Sequence, residues 1–225
     1  MCVFLLPAVQ WDTETGSAIT AFTGHTNGIT ALALEKNSLF TSSADHTIAL
    51  WDPRLGGKRV REFEGHTNVV SSLALCDGAL FSGSLDGSVL RWDIGTGKRV
   101  SELVRPQAES GGQITSMCAS DNVSSSKLYT AACDLKNEQG IVQEWDTRDG
   151  TVSATIKVGA YVPWCICVSK KRLFVGCDDK MTKMWELSML EGGPSMDSCS
   201  LRGQCSGTAC AGGCAGAGGV ACAVS

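Results

Sequence analysis

The chain has 225 residues, a net charge of −4 and a hydrophobic share of 43%, with six Trp against two Tyr. That apolar share can fill the core of one sizeable domain or two small ones, and the acidic balance leaves no basic excess for phosphate contacts, which argues against a nucleic-acid partner. Residues 1–9 are apolar but too short for a membrane span, and they lack the basic lead and small-residue cleavage site of a signal peptide.

We therefore read 1–9 as a strand and expect a cytoplasmic chain, with the nucleus as the alternative, no membrane contact and its 12 Cys mostly thiols. Seven of these (Cys2, Cys76, Cys118, Cys133, Cys165, Cys167, Cys177) fall in strand-like apolar stretches, where a buried small hydrophobe is the expected role.

A short strand at 17–22 follows the pair Trp11-Asp12. Residues 29–34 and 69–75 alternate small polar with apolar side chains, and 38–41 and 79–82 are short strands leading into Ser-rich turns. Strands at 48–51 and 89–92 come after Asp-His-Thr and Asp-Gly-Ser turns, and 59–63 and 99–103 complete each set of four. Trp-acid pairs recur at Trp11, Trp51, Trp92, Trp145 and Trp185, at intervals of 40, 41, 53 and 40 residues. Gly24-His25 and Gly65-His66 each place a His 26 residues before a Trp. Five such pairs at near-constant period define an internal repeat of four short antiparallel strands.

The segment GHTNVVSSLALCDGALFSGSLDGSVLRWD resembles a unit of the WD-repeat family, and the resemblance extends from about Val9 to Leu187. It implies an all-β fold of four-stranded antiparallel β-propeller blades over residues 1–187, followed by a Gly/Ala/Cys tail over 188–225. It also implies a hydrogen-bonded set inside each blade: His25, Thr41, Asp45 and Trp51, then His66, Ser82, Asp86 and Trp92. The chemistry suits burial, because the indole N–H only donates, a hydroxyl both donates and accepts, and imidazole bridges to carboxylate. Ser, His and Asp could be mistaken for a hydrolase triad, but the set repeats and a triad would occur once, so no enzyme activity is expected from it.

The later blades are degenerate. In the third, Gly111-Gly112-Gln113 replaces Gly-His while Thr130, Asp134 and Trp145 remain; in the fourth, Val175 replaces the hydroxyl and Asp179 and Trp185 remain. These two blades are expected to rely on packing more than on the network. The 53-residue interval holds 12 extra residues, assigned mostly to loops on the Gly-His face. Neutral drift explains them as well as a binding role does.

Two strands, three full blades and a last set of three strands fall short of the seven or eight blades usual in the family. An incomplete or open propeller is expected: a four-bladed ring would need blades splayed far more than this repeat favours, and an open arc leaves edge strands unpaired. The tail has little to bury, and disorder or a non-native reading frame accounts for it. Its cysteines match no Cys-x2-Cys spacing and have no nearby His, so no metal or cofactor is expected.

Two segments, Trp51-Asp52-Pro53-Arg54 and Trp145-Asp146-Thr147-Arg148, resemble the motif by which WD-repeat substrate receptors contact a cullin-ligase adaptor. Arg54 and Arg148 are therefore candidate partner-binding residues, on the face opposite the Gly-His loops. On the Gly-His face the candidates are Thr26, Thr67, Tyr161 and Trp164, with a packed core position as the alternative for Trp164. The expected function is a protein–protein interaction scaffold. The alternative is the substrate-recognition part of a ubiquitin ligase or kinase whose catalytic or adaptor region is not in this chain.

Overall fold

The computed structural model describes residues 7–103, 112–120, 126–134, 139–169 and 171–187. The Gly/Ala/Cys tail, its cysteines and the start of the N-terminal apolar stretch lie outside the described residues, as do residues 104–111, 121–125 and 135–138 around the third-blade insertion.

Strands β1 (Ala8–Trp11) and β2 (Ala18–Phe22) form a hairpin. The first blade is β3 (Ile29–Glu35), β4 (Ser38–Ser43), β5 (Ile48–Trp51) and β6 (Arg59–Phe63). The second is β7 (Val70–Cys76), β8 (Ala79–Ser84), β9 (Val89–Trp92) and β10 (Arg99–Leu103). The third is β11 (Gln113–Ala119), β12 (Lys127–Asp134), β13 (Gln139–Asp146) and β14 (Val152–Gly159). The fourth holds three strands, β15 (Pro163–Ser169), β16 (Arg172–Cys177) and β17 (Thr182–Glu186). Within every blade, neighbours in sequence are neighbours in the sheet and run antiparallel. Among the described residues no helix is long and apolar enough to cross a membrane.

The innermost strands β3, β7, β11 and β15 pack side by side in chain order, and no contact of similar extent joins β15 back to β3 among the described residues. The result is an open arc of blades. Both faces of a second strand are covered by neighbouring blades, which is why all six residues of β8 are buried. Each joint has its own core. Phe40, Ile48, Leu50 and Phe63 of the first blade meet Val70, Leu73, Leu80, Leu90 and Trp92 of the second. Phe81, Val89 and Leu103 meet Ile114, Met117, Leu128 and Trp145 at the next joint. Tyr129, Val142 and Ile156 meet Ile166, Leu173 and Val175 at the third.

Each innermost strand carries a β-bulge at the same place, occupied by Thr30, Ser71, Thr115 and Trp164 in turn. A bulge turns its residue out of the ladder and frees the side chain for another partner. Thr30 Oγ1 donates to the Val70 carbonyl, Ser71 Oγ to the Ile114 carbonyl at 2.6 Å, and Thr115 Oγ1 to the Pro163 carbonyl. One hydroxyl per joint thus stitches a blade to its successor, and the series ends at Trp164, which has none to offer.

In the third blade part of the insertion becomes strand. β12 and β13 have 8 residues each against 6 and 4 in the second blade, and Asp134 pairs with Gln139 at the hairpin end. The 134–139 stretch read as loop is therefore partly ladder.

Candidate functional site

The polar set of the first blade is assembled from four elements. His25 precedes β3, Thr41 lies on β4, Asp45 in the β4–β5 turn and Trp51 at the end of β5. Trp51 Nε1 donates to Thr41 Oγ1 at 2.8 Å, Thr41 Oγ1 lies 2.7 Å from His25 Nε2, and His25 Nδ1 lies 2.8 Å from Asp45 Oδ2. With the indole donating to Thr41 and a carboxylate at Nδ1, one proton assignment satisfies every member: the hydroxyl donates to Nε2 and Nδ1–H donates to Asp45. In the second blade Trp92 Nε1 donates to Ser82 Oγ at 2.7 Å, Ser82 lies 2.7 Å from His66 Nε2, and His66 Nδ1 lies 3.0 Å from Asp86 Oδ2.

The glycine before each His has a geometric reason. Gly24 and Gly65 sit at φ 152° and 154°, and a Cβ there would lie 3.3 Å from Trp51 Cη2 and 3.2 Å from Trp92 Cη2. A side chain would need a disfavoured backbone angle and would press on the buried indole.

Each Asp does more than hold its His. Asp45 Oδ1 accepts from Thr47 N at 3.0 Å and Thr47 Oγ1 at 2.6 Å, while Oδ2 accepts from Thr26 N at 2.9 Å. Asp86 takes the same bonds from Ser88 and from Thr67 N. Burial opposes the charged form of Asp45, but donation from Thr47, Thr26 and His25 outweighs it and holds the carboxyl down at about 2. Burial likewise opposes charge on Asp86, and donation from His66, Ser88 and Thr67 holds it well below the usual carboxylate range. Thr47 and Ser88 were missed in the sequence reading; their signal was a hydroxyl residue two positions after each Asp. Thr26 and Thr67 enter the set through backbone N–H groups and leave their side chains at the surface.

Thr41 and Ser82 have no solvent exposure. A hydroxyl that no substrate reaches performs no nucleophilic attack, so the His-hydroxyl-Asp geometry serves the fold.

The degenerate blades use different devices. Trp145 Nε1 still donates to Thr130 Oγ1 at 2.9 Å, and Asp134 is buried at the end of β12. The third blade also contains a polar cluster absent from the sequence reading. Buried Glu144 accepts from Lys127 Nζ at 2.7 Å, Tyr129 Oη at 2.8 Å and Ser153 Oγ at 2.8 Å. This blade therefore does not depend on packing alone. In the fourth blade Asp179 accepts from Met181 N at 3.0 Å and pairs with Lys183 at 3.2 Å, while the loop N–H of Val162 goes to Asp178 instead. Trp185 packs against the Val158 and Leu173 cluster.

On the opposite face the two Trp-Asp-x-Arg segments have matching geometry. Arg54 Nε and Nη2 fork onto Asp52 at 3.0 and 2.7 Å, and Arg148 forks onto Asp146 at the same distances. The side chains are 68% and 75% exposed. Donation from Arg148 holds Asp146 at about 2, and donation from Arg54 lowers Asp52 in the same way. Arg148 also borders a shallow cleft of about 420 Å³ with Arg91, Val100, Glu102 and Asp149. Tyr161 is half exposed with Lys183 Nζ 4.4 Å from its ring centroid. Trp164 is 62% exposed at the β15 bulge, so it is not a core residue of the described structure.

The WD domain, G-beta repeat family matches residues 16–52 and 57–93, the two blades whose polar sets are complete. The computationally designed protein Ika4 is similar in structure, with a TM-score of 0.63 and 29% identity over 77% of this chain and 99% of that one. The computationally designed protein Ika8 is similar with a TM-score of 0.64 and 29% identity over 78% of this chain. The chain spans about half of Ika8, 51% of its length. No curated protein matches. Two repeats that match this family's model and an arrangement of four blades make the chain similar to the WD-repeat β-propeller family. Propellers of this family generally act as protein-interaction scaffolds.

Proposed function

We propose that the chain is an interaction scaffold that presents its propeller faces to partner proteins and performs no chemistry of its own. The observation that carries this reading is the pair Arg54 and Arg148. Two cations on separate blades are fixed by the same fork onto their own Asp, and both stay open to solvent. An arginine already held in one rotamer loses little freedom when a partner engages it, which is how a rigid surface gains affinity. Thr26, Thr67 and Tyr161 form a second candidate surface on the Gly-His face.

The test compares affinity capture by the wild-type chain with capture by an Arg54→Glu/Arg148→Glu variant and a Thr26→Glu/Thr67→Glu variant, read by quantitative mass spectrometry. Partners lost from one variant and kept by the other support the scaffold and assign the face. Identical profiles for all three proteins would end the proposal for these residues.

The same arginines support a second reading, docking to a cullin-ligase adaptor as part of a ubiquitin ligase's substrate receptor. Titration with the purified adaptor decides it: Arg54→Ala/Arg148→Ala should weaken binding at least about tenfold. Absence of binding to the wild-type chain removes the ligase role. Among the described residues none points to a kinase partner in particular.

A further inference from the structure

Three joints inside the arc are built to one plan. At the middle of the second strand an aromatic faces the next blade, Phe40, Phe81 and Tyr129 in turn, and each is buried. The next blade answers from its innermost strand with Leu73, Met117 and Ile166, exposed by only 8%, 6% and 6%. Among the described residues the arc also carries two unmatched halves of this joint. Leu32, the first-blade counterpart of Leu73, is 49% exposed, and Leu34 beside it is 67% exposed. At the other end Phe174 holds the aromatic position and is only partly buried; its pairing neighbour Met184 is 39% exposed, and Trp164 at the β15 bulge is 62% exposed. One end is the lock of the repeated joint and the other is its key.

The strands at the two ends are complementary as well. Phe22 of β2 meets Trp51 edge-on at 5.8 Å, as Phe63 of β6 meets Trp92 at 5.7 Å. β2 therefore stands where the fourth strand of a preceding blade stands, but only β1 is beside it. Among the described residues the fourth blade has its three inner strands and no fourth one. β1 and β17 carry Trp11 and Trp185 at equivalent positions; Trp11 is 59% exposed, whereas Trp185 is partly buried. A β17 placed beside β2 would bring the better-packed Trp.

We propose that two copies of this chain join head to tail into a closed ring of eight blades. The first blade of each copy packs on the fourth blade of the other, and β2 of each serves as the fourth strand beside the other's β17, displacing β1. Both joints continue an interface the chain already makes three times, and two identical joints close with two-fold symmetry. Eight blades is within the family's usual number, and this arc spans about half of the similar Ika8 chain. The proposal does not rest on which partners the faces bind.

Light scattering on the purified full chain over a wide concentration range gives the mass directly. The expected result is twice the 23.6 kDa of one chain. Leu34→Glu and Met184→Glu change exposed side chains, so each should stay folded by circular dichroism and raise the dimer Kd at least about tenfold. A third measurement fixes the geometry. By the pairing of Arg91 with Ser101 in the second blade, Thr20 and Met184 of different copies should face each other. A Thr20→Cys chain mixed with a Met184→Cys chain should give a cross-linked pair with a short bis-maleimide, and neither variant alone, nor the wild-type thiols, should give it to the same extent.

A monomer at every concentration, as when residues 1–6 or 188–225 cover the open faces, would overturn the proposal. So would open polymers, or a dimer that both Glu variants leave intact.

Discussion

Ser82 sits where three blade elements meet, receiving the Trp92 indole N–H and facing His66 Nε2 at 2.7 Å with no exposure to water. Ser82→Ala leaves both neighbours buried without a partner, and each orphaned group costs about 1–3 kcal/mol. A loss of about 2–4 kcal/mol in urea unfolding is expected, and Ser82→Thr should recover most of it because Thr41 fills the same place in the first blade. The aspartates set the acid limit. Asp45 is held at about 2 and Asp86 lower still, against an ordinary value of 3.8. Their folded values are depressed, so their contribution is complete above about pH 4 and is lost as pH falls through the folded values. The unfolding midpoint should therefore fall from about pH 4 toward pH 2, and Asp45→Asn/Asp86→Asn should be less stable at pH 7 with a shallower acid loss. At this scale the sequence is informative where a residue repeats in register: His25 and His66 stand 26 residues before their Trp. Glu144 was illegible because its donors, Lys127, Tyr129 and Ser153, are brought together by pairing across three strands and have no counterpart in the other blades.

Elements were legible where turn chemistry brackets them. β5, β6, β9 and β10 begin and end where the Asp-containing turns and the Trp place them. The bulges were not, since a one-residue shift in pairing leaves no trace in the alternation of side chains, and Thr30, Ser71 and Thr115 read as ordinary polar positions. Close approach between blades is equally hidden. Gly83 lies on β8, and a Cβ there would come within 2.5 Å of Ile114 Cγ2 and 2.9 Å of Met117 Sδ. Gly83→Ala must push the second and third blades apart and should cost about 1–3 kcal/mol, read as a lower unfolding midpoint. Ala at the exposed Gly95, whose Cβ would meet only the Asp93 side chain at 3.3 Å, should cost less.

For the whole molecule the controlling fact is that stability is a sum over blades and joints. The second and third blades have a neighbour on each side, while the β1–β2 hairpin and β17 lie at the ends of the arc. Amide exchange should be slowest in β8 and β12, whose residues are nearly all buried, and fastest in β1, β2 and β17. Slowing of β2 and β17 with rising protein concentration would accompany the ring described above. If β8 exchanged as fast as β17, the additive picture would fail. The openness of the arc followed from counting Trp-acid pairs, but which faces stay bare depends on the burial of Leu32, Leu34 and Trp164, which only packing reveals.

The stitch of one hydroxyl to the next blade's carbonyl has an evolutionary consequence. Because the second blade receives a bond at Val70 and gives one from Ser71, its two sides fit one another. An in-frame duplication of the 41 codons between Trp51 and Trp92 would insert a blade that mates with its parent on both sides, with no new complementarity to invent. Genes of this kind can lengthen by copying and lose blades by recombination. The third and fourth blades show that a joint holds without the histidine, through the clusters around Trp145 and Trp185.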